Sequence, residues 1–297
     1  MYLTSKREKR WTVGFFLLPS LVGLFAFCLI PMAASILYSL LDYDLLKPLE
    51  SVNFVGFSNY LRLFRGRELY ETGLHTLTYV VLYVPLVLVF SLFQALLLSH
   101  DFHGKMVYRI IFYTPVITSW VAAAVVWKWL LNGQYGAFNQ LLNLVGIKGP
   151  SWLNDRAWAM LGVVIAAVWK DCGYFALILL AALKAIDKTY YEAADIDGAR
   201  FWRKLRSITL PLISPTLFLL VVIIIIGSLQ VFDSVFIMTG GGPAGATTIF
   251  MERIYRYAFK MYKMGMASAF SWVLFMLIMV FTLIQFAMQK RWVNYDT

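Results

Sequence analysis

Charge is scarce in this 297-residue chain: Asp, Glu, Lys and Arg together make up 14% of it, against about 25% in a soluble domain. That shortage excludes an ordinary water-facing globule. Acids are scarcer than bases, 16 against 26, but the bases fall in short segments between apolar runs and not along one face. The excess is therefore read as membrane topology and not as a nucleic-acid surface. The two cysteines, Cys28 and Cys172, both lie inside apolar runs, where Cys behaves as a small hydrophobe, so no disulfide framework is expected. The three histidines, His75, His100 and His103, have no ligand spacing with Cys or paired carboxylates, and no metal site is expected.

Catalytic signatures are missing too. Gly104-Lys105 is followed by Met106 and has no upstream glycine at phosphate-loop spacing. There is no G-x-S-x-G elbow, no H-E-x-x-H, and no carboxylate pair on one helix face within an apolar run. The chain is expected to hydrolyse no ATP, to bind no cofactor and to be no enzyme.

Long hydrophobic runs are what it does have. Hydrophobic residues make up 61% of the chain, and its mean hydropathy is +0.71. Six runs are read as transmembrane helices: 11–41, then about 73–99, 110–131, 157–183, 212–237 and 267–289. Each has roughly 20 residues or more, enough at about 1.5 Å per residue to cross a hydrocarbon core of about 30 Å. The first run follows Lys6, Arg7, Lys9 and Arg10 like a secretory leader, but it is too long and its Ala33-Ala34-Ser35 is a poor cleavage signal. It is read as an uncleaved span peripheral to the other five, with Pro19 and Pro31 as candidate kinks. Trp127, Trp129, Trp152, Trp158 and Trp292 sit near span ends, as interfacial rings do.

Six spans put both termini on one side. That side would carry 14 Lys and Arg against 10 on the other, so the tails 1–10 and 290–297 and the polar segment 184–211 are expected to be cytoplasmic, with 42–72 external. The fold class expected is an all-α integral membrane protein, multi-pass in a plasma membrane, with 73–289 as the core.

The segment 184–211 is a polar island between two spans. Asp187 to Ala199 predicts a short helix: Glu192, Ala193 and Ala194 favour helix, and acids are expected in its early turns where the dipole favours them. Gly198 fits the left-handed position that ends such a helix. Beyond it Phe201, Leu205 and Ile208 form one apolar stripe, with Arg200, Arg203, Lys204 and Arg206 on other faces, and Pro211 opens the next span. Basic residues alone would mark an interfacial loop on anionic lipid. Paired alanines, flanking acids and a glycine turn instead suit a helix set into a protein groove.

Glu192-Ala193-Ala194, Asp195, Gly198, Ile208, Leu210 and Pro211 resemble the EAA loop of bacterial ABC-importer permeases. Phe54-Val55-Gly56-Phe57-Ser58-Asn59-Tyr60, Gly136 with Asn139, and Thr239-Gly240-Gly241-Gly242-Pro243 are similar to the MalF-type carbohydrate branch, in the same order between the spans. The resemblance covers almost the whole chain. It implies the type-1 permease fold of six transmembrane helices, in the compact form without MalF's additional spans and large periplasmic insertion. It also implies partners: a second similar permease, two cytoplasmic ATPase subunits that carry ATP and Mg and receive the EAA helix, and an extracellular or periplasmic solute-binding protein, met by outer loops including Gly240, Gly241, Gly242 and Pro243. The cargo implied is a carbohydrate, a di- or oligosaccharide.

Ionisable groups inside a membrane are costly and mark pathways or partners. Lys170 and Asp171 fall in the fourth run and Asp233 in the fifth, near Ser228 and Gln230. Thr114, Thr118, Ser119 and Trp120 form a polar group in the third. Gln230 and Asp233 are expected on one helix face by their i, i+3 spacing. Donors, acceptors and flat rings together suit hydroxyl-rich cargo, so Thr118, Ser119, Trp120, Lys170, Asp171, Ser228, Gln230 and Asp233 are the candidate path. Two rivals stand beside it. A glycerol-3-phosphate or phosphodiester permease would want cations on the path, where Lys170 is the one candidate; a non-transport scaffold recruiting a cytoplasmic partner would leave these polar groups without a role.

Overall fold

The computed structural model describes residues 6–100 and 102–294. The first five residues of the expected N-terminal tail and the last three of the C-terminal one lie outside them. The elements in chain order are α1 (Lys6–Leu24), a π-turn (Phe25–Leu29), α2 (Ile30–Ser39), strands β1 (Leu41–Asp42) and β2 (Asn53–Phe54), α3 (Ser58–Arg65), α4 (Arg67–Ser99), α5 (Lys105–Ile117), α6 (Trp120–Leu130), α7 (Ala137–Leu144) and α8 (Ala159–Ala185). Then come α9 (Lys188–Ile196), α10 (Phe201–Lys204), a π-turn (Leu205–Thr209), α11 (Leu210–Leu212), α12 (Ser214–Leu229), α13 (Asp233–Met238), α14 (Phe250–Tyr255) and α15 (Met264–Gln289). Five stretches are long and apolar enough to cross a membrane, or six if α5 and α6, bent by 107°, count as one span.

The chain divides into two compact units, Met1–Gly66 with Ile254–Val273, and Arg67–Arg253 with Leu274–Thr297. In the first, Pro31 cannot donate to the carbonyl four residues back, and the π-turn before it, closed by Ile30 N–H on Phe25 O, absorbs the mismatch. Pro19 lies inside α1 with no break there. The apolar window of this span has none of its residues buried. The segment expected as a loop at 42–72 holds a two-stranded ribbon, α3 and the first residues of α4. Its Phe-Val-Gly-x-x-Asn-Tyr motif has a structural job: Gly56 turns at φ +53, and buried Asn59 donates at 2.9 Å to both Ser39 O and Leu41 O.

In the second unit α8 is the central helix, with two-thirds of its apolar window buried. Small residues let neighbours approach it, as membrane helix packing requires. A Cβ on Gly173 would lie 2.3 Å from Phe112 O of α5. On the α4 side Ser91 Oγ donates to Cys172 O at 3.0 Å, and Gln94 Nε2 to Cys172 Sγ at 3.1 Å.

Three expectations are corrected. The third run is two helices and not one: Pro115 weakens the end of α5, Thr118 is extended, and Ser119 Oγ caps α6 by accepting from Val121 N. The fifth run is also broken, at Gln230–Phe232 between α12 and α13, so Gln230 and Asp233 do not share a helix face. The stripe after Gly198 is disrupted because the π-turn at Leu205–Thr209 rotates the register: Leu205 and Thr209 are buried and Phe201 is exposed.

Candidate functional site

The polar island folds around α9. Asp187 is its N-cap, the carboxylate accepting from Thr189 N at 3.0 Å. That hydrogen bond, and a second from the Thr189 hydroxyl, hold the Asp187 carboxyl below its ordinary value. A depressed carboxylate contributes stability that is full above the ordinary value and lost as pH falls through the lowered one. Acidification below about pH 4 should therefore lower the protection of the amides at the start of α9 relative to their intrinsic exchange rates. Asp187→Asn, which keeps a capping oxygen but cannot titrate, should remove that pH dependence, read by hydrogen exchange.

At the other end Gly198 N–H donates to Asp195 O at 3.0 Å and Ala199 N–H to Ala194 O at 2.9 Å, with Gly198 at φ +68. This is the Schellman pattern that stops a helix at glycine. The acids do not crowd the early turns as expected. Glu192 is one turn in, and Asp195 lies at the end, where the dipole disfavours it and the Lys204 ammonium pairs with it. The two alanines point apart: Ala194 is buried while Ala193 is exposed beside Glu192. Tyr191 hydroxyl meets Thr209 Oγ1 at 3.0 Å, tying α9 to the π-turn. What faces outward includes Tyr190, Ile196 at 88% exposure and Trp202 at 68%. Leu210 and Pro211 form α11, with proline at its first turn where no donor is needed, leading into α12.

The candidate path residues separate into two sets. Trp120, Asp171, Ser228, Gln230 and Asp233 line one cavity of about 360 Å³, within the range of small-ligand clefts. The break after α12 is what brings the last two there. Thr118, Ser119 and Lys170 serve the chain itself. Thr118 Oγ1 bonds Pro115 O at 2.6 Å, and Ser119 caps α6. Lys170, 6% exposed, donates from Nζ to Pro115 O at 3.1 Å and Val116 O at 3.3 Å, with the Trp120 ring 5.5 Å away.

The sequence reading missed Tyr79 and Tyr83 of α4, which line the same cavity. Their rings stack with centroids 5.3 Å apart, and Tyr83 hydroxyl donates to Asp171 Oδ2 at 2.8 Å. The i, i+4 spacing of two hydroxyl-bearing rings in an apolar run was the available signal.

Gly240, Gly241, Gly242 and Pro243 form a tight turn with Gly240 at φ +59 and Gly241 at φ +86. Thr239 and Thr247 hydroxyls meet at 2.7 Å, and Thr247 and Thr248 donate to Gly242 O and Gly241 O at 2.7 and 3.2 Å. Gly240 is exposed while Gly241 is buried. Gly242 and Pro243 border a second cavity, of about 340 Å³, with Lys128 and Asn132.

Comparison with known proteins agrees with this architecture. The chain is 35% identical over 284 residues, 95% of each chain, to the trehalose/maltose transport system permease protein MalF of Thermococcus litoralis. It is 35% identical over 288 residues, 96% of each, to the sn-glycerol-3-phosphate transport system permease protein UgpA of Yersinia enterocolitica. A chain of the bacterial alginate ABC transporter, crystallised with an alginate pentasaccharide-bound periplasmic protein, superimposes with a TM-score of 0.85 at 23% identity, covering 97% of each chain. Residues 58–294 match the family profile of the binding-protein-dependent transport system inner membrane component. The chain belongs to that family of transport permeases, with the fold of an ABC importer permease.

Proposed function

We propose that this chain is one of two permease subunits in an ATP-driven, binding-protein-dependent importer of a carbohydrate, a di- or oligosaccharide. The observation that carries the reading is a capped, glycine-terminated helix, α9, exposed between two membrane-length helices in a chain of this family. Its Tyr190, Glu192, Ala193 and Ile196 offer an apolar and acidic face for a groove on a cytoplasmic ATPase, with Asp195 and Gly198 fixing the helix end and Leu210 and Pro211 joining it to α12. Hydrolysis, with ATP and Mg, belongs to two such ATPase subunits, and both termini are cytoplasmic by the basic-residue bias. A binding protein outside the membrane delivers cargo near Gly240 to Pro243.

The cavity between α4, α6, α8 and α12–α13 offers stacked and upright rings with hydroxyl, amide and carboxylate groups, the pairing that sugar hydroxyls and sugar faces require. Trp120→Ala should lower uptake by about tenfold, the loss of roughly 1.4 kcal/mol, while leaving complex assembly intact. The measurement is uptake of labelled maltose and related sugars into proteoliposomes holding both permeases and the ATPase, with loaded binding protein outside. No ATP-dependent uptake of any sugar by the parent importer would reject the reading and favour a scaffold. The likeness to a glycerol-3-phosphate permease favours one second reading, an anionic cargo, which the same panel tests with glycerol 3-phosphate.

A further inference from the structure

Which charge the cavity tolerates can be read from where its ionisable groups point. Its lining carries two carboxylates, Asp171 and Asp233, and no lysine, arginine or histidine among the described residues. Lys170 is next in sequence to Asp171, yet its ammonium is turned onto the carbonyls of Pro115 and Val116 and is buried there. Lys128 borders the other cavity. Asp171 accepts from Tyr83 through Oδ2 alone, which leaves acceptor capacity on a carboxylate at the cavity wall. Ser234, 1% exposed, lines the same cavity beside Tyr79.

We infer that Asp171, supported by Asp233, sets the charge selectivity of this cavity: it accepts hydroxyl or ammonium donors and rejects phosphate-bearing cargo, so the importer handles neutral or amino sugars. The inference rests on the permease reading above and narrows its cargo. A carboxylate needs donors from its ligand and a sugar hydroxyl supplies them; an amino sugar adds an opposite charge, and a phosphate brings a like charge with no donor at physiological pH. Tyr83 fixes the carboxylate toward the stacked rings, so a hydroxyl-bearing ring can be held by its edge and its face together.

The test uses the purified importer with its partner subunits in nanodiscs and three probes of one shape: glucose, glucosamine and glucose 6-phosphate. Saturation-transfer NMR reads weak binding directly, at neutral pH, where the amine is still largely protonated and the phosphate, with a second pKa of about 6, is largely dianionic. Glucosamine should bind best, glucose next, and glucose 6-phosphate about tenfold or more below glucose, since like charges brought together cost more than the roughly 1.4 kcal/mol of a tenfold step. Asp171→Asn, whose amide oxygen still accepts from Tyr83, should bring the three signals together. Asp233→Asn, at the exposed start of α13, should shift them the same way by less, and it serves if the first variant fails to assemble. Equal binding of all three probes by the parent, or an unchanged order in both variants, overturns the inference. Loss of the permease reading is a separate outcome, the absence of ATP-driven sugar uptake in proteoliposomes.

Discussion

Importers carrying Gly198→Val should insert normally and keep the cavity lined by Trp120 and Asp171, yet lose ATP-driven uptake by about tenfold or more, within the 5–150-fold range of ordinary coupling energies. Gly198 sits at φ +68, where a β-branched residue is strained by about 1–3 kcal/mol. No atom lies within 4 Å of the position a Cβ would take, so the effect is conformational and not a clash. Relief of the strain rotates the chain after α9 and breaks the bonds from Gly198 and Ala199 to Asp195 and Ala194. Gly198→Asn, which tolerates the left-handed region, should lose far less. Glu192→Lys acts differently: it reverses the charge on the exposed face without touching the fold, and should release the ATPase or leave its hydrolysis uncoupled from uptake. Co-purification of the ATPase, ATP turnover and sugar uptake measured on the same preparations separate these outcomes. Normal uptake by both variants would reject α9 as the coupling element.

How much of this could be read from sequence depends on how local the physics is. The island was legible because helix propensity through Glu192, Ala193 and Ala194 and the left-handed stop at Gly198 are decided within a few residues, whereas the cap at Asp187 emerged from the structure. Membrane-length runs were legible for the same reason, since burial in lipid depends on composition. Breaks inside those runs were not. Pro115 sits in α5 without ending it, and the turn comes at Thr118 and Ser119, where the hydroxyl cap and a lysine from another helix both contribute. Tyr79 and Tyr83 looked like any aromatic in an apolar run; their place in a cavity follows from how α4 packs on α8. Lys170 was misread most instructively. An intramembrane charge does need a partner, but here the partner is a pair of backbone carbonyls more than fifty residues earlier, which no charge pattern reveals.

Lys170→Met should therefore be among the most damaging single changes in the chain, although the charge it removes is turned onto backbone carbonyls. Methionine matches the length of the side chain and fills its apolar path, so packing is largely kept. What goes is the ammonium, which takes the charged donor from Val116 O and leaves Pro115 O, at the end of α5, with the Thr118 N–H and hydroxyl alone. Hydrogen bonds to a charged group contribute about 1.5–3 kcal/mol, which corresponds to a fall of roughly 5 °C in the unfolding midpoint for a chain of this size. Transport should suffer as well. The bend between α5 and α6 carries Trp120 into the cavity, and the ammonium lies against that ring; once the bend loosens, Trp120 loses its fixed position, and uptake should fall by up to the roughly tenfold expected for removing the ring itself. Lys170→Arg, which restores donors to the same carbonyls, should recover most of the thermal stability. A cargo contact at Lys170 predicts a different pattern: Lys170→Met would then weaken sugar binding and leave the unfolding midpoint where it was. Midpoint and uptake measured together on the two variants decide between a residue that touches cargo and one that holds the bend presenting Trp120 to it.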